Sequence, residues 1–218
     1  MTRLDLSVYA LVDPQHAGGR ELPLLAALLA KNGATLIQLR DKVSSTRAMI
    51  DSARAIKAAL AGSRVPLVIN DRVDVAAAAV ADGVHVGQDD MAIADARRLL
   101  GPNAIIGLSV KTPEQARAAP LDLLSYVAIG GVFATSSKDN RDPPVGLDGL
   151  NRIAGIVRGR VAEYPVCAIA GIDAGNAAGV VAAGADGVAV ISALSLAADP
   201  AAATRALRVV VDEARARR

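Results

Sequence analysis

Two short apolar runs of this sequence end in aspartate, and their spacing could bring the carboxylates together. The run Leu67–Ile69 is followed closely by Asp71, and the run Gly83–Val86 is followed by Asp89 and Asp90. The Ala-rich segment between them has helix character, so the unit reads as strand, helix and parallel strand. Both polar ends then lie at the same edge of the sheet. One pair of carboxylates there could bind Mg²⁺, or each aspartate could only cap the following helix.

Polar and cationic residues also follow the other apolar runs, where a parallel sheet would gather them at one edge. They are Gln38, Arg40 and Lys42 after the second run, Asn70 beside Asp71 after the third, Ser109 after the fifth, Thr135, Ser137 and Lys138 after the sixth, and Gly171 and Ser192 after the last two. The set contains cations, hydroxyls and amides but no histidine or cysteine nucleophile. This composition suits a phosphorylated substrate held by Arg, Lys and Mg²⁺.

Several of these residues also have a plain structural interpretation. Arg40 and Lys42 could be a solvated charge pair around Asp41, and Lys138 taken alone is typical of an exposed loop lysine. Ser109 could cap the helix that follows it. Their joint occurrence at the ends of several strands favours a binding site.

The elements that must position these residues follow from the hydrophobic pattern. The predicted strands are Ser7–Val12, Thr35–Leu39, Pro66–Ile69, Gly83–Val86, Ala104–Leu108, Leu123–Ile129, Pro165–Ile169 and Gly187–Val190. The predicted helices are Glu21–Lys31, Thr46–Ala61, Val73–Val80, Ile93–Leu100, Thr112–Ala119, Leu147–Val157, Ala174–Ala183 and Pro200–Ala214. Regular alternation implies a parallel sheet, and eight strands can close a barrel. We therefore predict an α/β fold, a (β/α)₈ TIM barrel in one domain over 1–218. A doubly wound open sheet is the alternative, but the even alternation and the absence of a G-x-G-x-x-G turn count against it.

Composition limits the classes of partner. Hydrophobic residues make up 52% of the 218 residues and aromatic residues 2%, without tryptophan, so base-stacking platforms for nucleic acid are missing. A net charge of +2 creates no general basic field. No apolar run approaches the roughly 20 residues of a membrane span, and no leader segment is recognised. We expect a cytoplasmic protein with small-molecule substrates and neither nucleic-acid nor membrane partners, while a homo-oligomer stays open.

Two residues with reactive side chains are predicted to be structural. Cys167 is the only cysteine and lies in the apolar run Val166–Ile169, where a buried role is favoured over that of a nucleophile. His85 alternates with valines and is interpreted as a satisfied core histidine rather than a catalyst.

Seven segments of the chain together resemble the thiamine-phosphate synthase family. They are Ile37–Lys42 (IQLRDK), Ile69–Ala76 (INDRVDVA), Ala81–Asp90 (ADGVHVGQDD), Gly107–Ser109 (GLS), Thr135–Lys138 (TSSK), Ala168–Ile172 (AIAGI) and Gly184–Ser192 (GADGVAVIS). They cover strands two to eight in order. The resemblance implies an enzyme that joins a hydroxymethylpyrimidine diphosphate to a thiazole phosphate with Mg²⁺, releasing pyrophosphate and forming thiamine monophosphate.

The resemblance also implies a role for each matching residue. Those that would hold the pyrophosphate are Gln38, Arg40, Lys42, Asn70 and Lys138, and the catalytic charge stabilisation would come from Arg40, Lys42 and Lys138. Asp71 and Asp90 would bind Mg²⁺, while Asp89 would not be a ligand. Ser109 would contact the pyrimidine. The residues that would hold the thiazole phosphate are Thr135, Ser137, Gly171, Ile191 and Ser192.

The sequence departs from the family pattern in three places. Gly130-Gly131 replaces Gly-Pro, Thr135–Lys138 carries serine in place of the second threonine, and Ala170-Gly171 replaces Gly-Gly. None of these changes removes a charged group.

Two other functions compete with the synthase. One is a thiazole tautomerase-like paralogue, which should carry a histidine just after Ser109, whereas this chain has Lys111 two places beyond it. The other is a non-catalytic barrel that binds thiamine precursors, which should have lost a metal-binding or diphosphate-binding residue.

Overall fold

The computed structural model describes residues 4–135 and 143–218, and its parallel strands form a closed barrel in chain order. The strands are β1 (Val8–Val12), β2 (Leu36–Leu39), β3 (Leu67–Asn70), β4 (Gly83–Val86), β5 (Ile105–Val110), β6 (Tyr126–Gly130), β7 (Val166–Ile169) and β8 (Gly187–Val190). The barrel closes where β8 pairs with β1, with Val8 opposite Val188. The predicted (β/α)₈ barrel is confirmed.

Helices follow the strands on the outside of the barrel. They are α1 (Leu22–Lys31), α2 (Thr46–Ala59), α3 (Val73–Ala79), α4 (Ile93–Leu100), α5 (Pro113–Ala118), α6 (Gly146–Arg160), α7 (Ala177–Ala182), α8 (Ser192–Ser195) and α9 (Pro200–Ala216), with a 3₁₀ turn at Pro14–His16. The short helix α8 was not predicted, because four residues are too few to show helical periodicity. Across the described ranges, we find no helix with the length and apolar character to span a membrane.

The core has two layers because side chains alternate along each strand. On β1, Val8, Ala10 and Val12 face outward into the apolar layer between barrel and helices. Tyr9 and Leu11 face the barrel interior. The other strands alternate in the same way, with His85 in place of an apolar residue on β4, and the carboxyl-terminal ends are left to carry polar residues.

Two strand boundaries differ from the prediction by more than one residue. Strand β5 continues to Val110, so Ser109 lies within the strand rather than after it. Strand β6 begins at Tyr126, because Leu123 and Leu124 form a turn in which their amides donate to Pro120 and Leu121. Leu124 is buried in the apolar layer between barrel and helices. A buried turn therefore carries apolar residues that look like part of a strand in the sequence.

Candidate active site

One cavity of about 870 Å³ opens at the carboxyl-terminal ends of the strands. Its wall contains every predicted site residue that the structure describes: Gln38, Arg40, Lys42, Asn70, Asp71, Asp90, Ser109, Thr135, Gly171, Ile191 and Ser192. Ser137 and Lys138 lie outside the described residues. Strands β2 to β8 and the segments after them therefore bring residues into one site, as expected for this fold.

A cation and two carboxylates meet on one side of the cavity. Lys42, after β2, forms an ion pair with Asp71, after β3. Asp90, after β4, accepts a hydrogen bond from the backbone N–H of Gly87 at 2.7 Å and lies beside Asp71. Partial burial raises the pKa of the Asp90 carboxyl, and the neighbouring Asp71 carboxylate raises it further. Two neighbouring carboxylates form a place where a cation is favourable.

The backbone holds Asp71 in an uncommon conformation. Its φ of 59° lies in the left-handed region, and its amide donates to the carbonyl of His85 at 2.7 Å. Aspartate enters this region more readily than most residues, although at some cost in strain. Neither Asp71 nor Asp90 caps a helix, because the N-cap residues of α3 and α4 are Arg72 and Ala92, and neither helix has a side-chain cap hydrogen bond. The capping interpretation of both aspartates is therefore wrong.

Arg40 forms an ion pair with a buried carboxylate. Its guanidinium forms an ion pair with Asp13, which follows β1 and is 1% exposed. Asp13 also accepts the amide of Gln15 at 2.8 Å, which ties it to the 3₁₀ turn. The interpretation of Arg40 as a solvated partner of Asp41 is wrong, since the amides of Val43 and Ser44 bind Asp41 instead.

Ser109 faces the cavity from within β5. Its hydroxyl lies 2.9 Å from His85 Nε2, and its carbonyl accepts from Gln88 Nε2 at 2.6 Å. The helix after β5 is capped by Thr112, whose hydroxyl accepts the amide of Gln115 at 3.3 Å. Ser109 is therefore not the cap of that helix.

The loop after β7 forms the opposite side of the cavity. Gly171 has a φ of +67°, and a Cβ there would lie 2.5 Å from the carbonyl oxygen of Ala134. The preceding Ala170 has a φ of 87°, the left-handed region that glycine usually fills. Asn176 donates to the Gly171 carbonyl at 2.9 Å and holds this turn. The departure from Gly-Gly thus falls on a position with backbone strain.

Three polar residues of the site were missed as functional candidates. Asp13 directly follows β1, and an aspartate after a barrel strand is a signal like that of Asp71. His85 is buried as predicted, and both its ring nitrogens have hydroxyl partners, but it also lines the cavity. Gln88 follows β4, and its side chain lines the cavity and donates to the Ser109 carbonyl. Cys167 is fully buried in the barrel interior, where a structural cysteine was predicted.

A closed parallel barrel that gathers cations and carboxylates around one cavity at its carboxyl-terminal edge defines a TIM-barrel enzyme. The family model for thiamine monophosphate synthase matches residues 8–194. The chain belongs to this family and is a transferase.

Relatives match the chain along nearly its whole length. A thiamine-phosphate synthase of Agrobacterium fabrum is 52% identical over 214 residues, covering 98% of this chain and 97% of the relative. Another from Roseiflexus castenholzii is 50% identical over 200 residues, covering 92% and 86%. The structure of a thiamine phosphate pyrophosphorylase from Pyrococcus furiosus has a TM-score of 0.84 at 35% identity, covering 97% of this chain and 98% of that one. A tryptophan synthase structure from Mycobacterium tuberculosis, at 17% identity and a TM-score of 0.67, shares the fold.

Proposed function

We propose that this protein is a thiamine-phosphate synthase. It would join 4-amino-2-methyl-5-hydroxymethylpyrimidine diphosphate to 4-methyl-5-(2-phosphooxyethyl)thiazole, giving thiamine monophosphate and pyrophosphate. In a chain of this family, the observation that carries the proposal is the meeting of Lys42, Asp71 and Asp90 on the cavity wall. This arrangement suits a diphosphate with its metal ion. The cationic side chains neutralise negative charge on the diphosphate, and the carboxylate pair would hold a metal ion that does the same.

Asp71 and Asp90 would hold Mg²⁺. Burial and the Asp71 charge raise the pKa of Asp90, and a divalent cation held by these residues would offset their negative charge. In the ranges 4–135 and 143–218, no cluster of three His, Cys, Asp or Glu side chains is available to a metal. Water and phosphate oxygens would supply the remaining ligands, as is usual for Mg²⁺. When bound, Mg²⁺ would offset negative charge on the diphosphate.

The cationic side chains would stabilise the leaving group. Asp13 holds Arg40 in place, so its guanidinium could meet developing negative charge with little reorganisation. Lys42 and Lys138 would add positive charge, while Gln38 and Asn70 would bind the pyrophosphate through amide groups. The cavity is within the range of about 300–1,000 Å³ that is common for small-molecule sites.

The proposed reaction needs no protein nucleophile. The C–O bond of the pyrimidine diphosphate breaks, and pyrophosphate leaves with the electron pair. The aminopyrimidine ring shares the positive charge left on the methylene carbon, and the thiazole nitrogen supplies the pair for the new C–N bond. The only cysteine is unsuited to attack, since burial raises the pKa of the Cys167 thiol and keeps it protonated.

The remaining site residues would contact the two substrates. Ser109 would contact the pyrimidine. The thiazole phosphate would be held by Thr135, Ser137, Gly171, Ile191 and Ser192. The positive φ at Ala170 and Gly171 supports this assignment, because successive amides in such turns form anion-binding concavities.

The test is an assay of purified protein with both substrates and Mg²⁺. Pyrophosphate release, coupled to a pyrophosphatase, and thiamine monophosphate, detected by mass spectrometry, should appear together. Omission of the thiazole phosphate should abolish the product, and EDTA should stop turnover until Mg²⁺ is restored. No pyrophosphate at saturating substrates would overturn the proposal. Isomerisation of the thiazole alone would indicate the tautomerase, and binding of both substrates without turnover would indicate the non-catalytic barrel.

A further inference from the structure

A chain of hydrogen bonds runs through the barrel interior and joins two separate points of the cavity wall. Gln38 Nε2 donates to the hydroxyl of Tyr9. The Tyr9 hydroxyl lies 2.9 Å from that of Tyr126, which lies 2.9 Å from His85 Nδ1. His85 Nε2 lies 2.9 Å from the Ser109 hydroxyl. The chain therefore links side chains from five strands.

The two ends of this chain face the cavity, and its middle lies below the cavity floor. Gln38 and Ser109 line the cavity, and His85 also reaches it. Tyr9 and Tyr126 are almost completely buried. The hydrogen bonds thus connect two cavity-lining side chains through the buried interior of the barrel.

The backbone makes room for the chain at Gly107. Strand register places Gly107 opposite both His85 and Tyr126. A Cβ at Gly107 would lie 2.6 Å from His85 Nδ1 and would overlap the Tyr126 ring. The two rings stack there with centroids 5.6 Å apart and planes 22° apart. A side chain at Gly107 would therefore break the contact between Tyr126 and His85.

Each tyrosine in the hydrogen-bond chain has one hydroxyl proton to donate, and a neutral histidine has one ring proton. The direction of one hydrogen bond therefore sets the direction of the others. Burial raises the pKa of both Tyr9 and Tyr126, and each keeps its single hydroxyl proton. When Gln38 donates to Tyr9, Tyr9 donates to Tyr126 and Tyr126 donates to His85 Nδ1. A neutral His85 then carries its proton on Nε2 and donates to Ser109. The Ser109 hydroxyl proton is left for a ligand.

The opposite direction requires rotation of the Gln38 amide, which exchanges atoms of nearly equal size, together with rotation of the hydroxyl groups and a change of the His85 tautomer. Tyr9 would then donate to Gln38 Oε1, and every later hydrogen bond would reverse. His85 would release its Nε2 proton to the solvent and take up a proton at Nδ1, so the number of protons on the hydrogen-bond chain would not change. Gln38 would present N–H groups to the cavity, and Ser109 would present a lone pair. In the observed direction Gln38 Oε1 is buried and has no hydrogen-bond partner in the described part of the chain. This orphaned acceptor leaves Gln38 open to reorientation by a ligand.

We propose that Tyr9, Tyr126 and His85 are positioning residues that couple the hydrogen-bonding direction of Gln38 to that of Ser109. A phosphate at Gln38 requires N–H donors and so selects the reversed direction. Ser109 then becomes an acceptor, suited to the amino group of a pyrimidine. The substrate identity rests on the proposed function, but the coupling itself rests on the hydrogen-bond chain. One substrate would thus be recognised through both its diphosphate and its ring.

The tautomer of His85 reports the direction of the chain. The sequence has 2 histidines, so in His16→Asn protein labelled with ¹⁵N-histidine all imidazole signals belong to His85. The free protein should show the neutral tautomer with its proton on Nε2. Addition of inorganic pyrophosphate with Mg²⁺ should move the proton to Nδ1. An imidazolium, or one unchanged tautomer with pyrophosphate shown to be bound by calorimetry, would overturn the proposal.

A matched pair of variants separates coupling from general damage. Tyr126→Phe removes one hydroxyl of the chain, and the His85 tautomer should then no longer respond to pyrophosphate. Tyr164→Phe makes the same change at a tyrosine that donates to the carbonyls of Leu121 and Leu124, and the response should persist. Tyr126→Phe should raise the KM for the pyrimidine diphosphate by roughly fivefold, the effect of about one lost hydrogen bond, with a smaller change in kcat. A response that persists in Tyr126→Phe would overturn the coupling.

The result is independent of the assay for the proposed function. A tautomer change without pyrophosphate release from the substrates would support the coupling and overturn the synthase. Normal turnover with an unresponsive His85 would support the synthase and overturn the coupling.

Discussion

The Lys42 ammonium and the Asp71 carboxylate form an ion pair that joins the ends of β2 and β3. Asp90, after β4, lies beside the same carboxylate. In the proposed enzyme, Mg²⁺ bound by the two aspartates would compete with Lys42 for Asp71. We expect Lys42 to turn toward the diphosphate when the metal binds, which places both cations on the leaving group.

Asp71→Asn should reduce kcat by about 10²–10³-fold, the scale of losing a group that stabilises transition-state charge. Asparagine tolerates the left-handed backbone of residue 71, so circular dichroism should show an intact fold. Asp89→Asn is the control, because Asp89 also lines the cavity but is not proposed as a ligand. Equal turnover in Asp71→Asn and wild type would contradict the metal assignment.

Asp90→Asn should stabilise the metal-free protein at neutral pH. The raised pKa of Asp90 means that folding favours its neutral form, so the charged form opposes folding above that pKa. Asparagine keeps an oxygen for the Gly87 amide. The melting temperature in EDTA should be higher for the variant near neutral pH, and the difference should shrink as the pH falls and wild-type Asp90 becomes protonated.

Addition of Mg²⁺ should reverse this order. The wild type should gain thermal stability from the ion, because a ligand that binds only the folded state stabilises it, whereas Asp90→Asn should gain less. A variant that melts below the wild type in EDTA at neutral pH would contradict the interpretation.

Asp13→Asn should weaken binding of the pyrimidine diphosphate. The amide keeps an oxygen that can accept the Gln15 amide but removes the charge that holds Arg40. A charge-assisted hydrogen bond contributes about 1.5–3 kcal/mol, so kcat/KM should fall roughly tenfold to a hundredfold. Asp148→Asn is the control, since it removes an exposed carboxylate on the first turn of α6. Steady-state kinetics with unchanged kcat/KM in Asp13→Asn would show that Arg40 does not depend on Asp13.

Ala170→Gly should stabilise the fold by about 1 kcal/mol. The φ of 87° at Ala170 lies in the left-handed region, where an L-residue costs about 1–2 kcal/mol, partly offset by the greater flexibility of glycine in the unfolded chain. Gly171→Ala should act in the opposite direction, because its Cβ would lie 2.5 Å from the Ala134 carbonyl oxygen. Urea denaturation of both variants measures the change in the free energy of unfolding, which should be positive for Ala170→Gly and negative for Gly171→Ala. A lower free energy of unfolding in Ala170→Gly would rule out strain at this position.

Much of the fold and the membership of the cavity were predictable from sequence, because both depend on local patterns. Apolar runs such as Leu67–Ile69 mark strands, and parallel strands place the residues after them at one edge. This reasoning placed Asp71, Asp90 and Arg40 at the rim of one barrel, where the structure has them. It misplaced Ser109 after β5, because a polar residue that faces a cavity from within a strand gives the same signal as the end of that strand. It misplaced Leu123 within β6, because an apolar residue gives the same signal in a strand and in a packed turn.

Only the tertiary structure decided which side chains contact each other. Asp13 holds Arg40, Lys42 pairs with Asp71, and Tyr126 lies between Tyr9 and His85 in the hydrogen-bond chain. These partners come from different strands, and their pairing depends on the register with which the barrel closes. The sequence by itself determined which residues reach the cavity, because the pattern of apolar runs marks where each strand ends. The tertiary structure determined their charge partners and hydrogen-bond directions, because these depend on distances between strands that no local pattern contains.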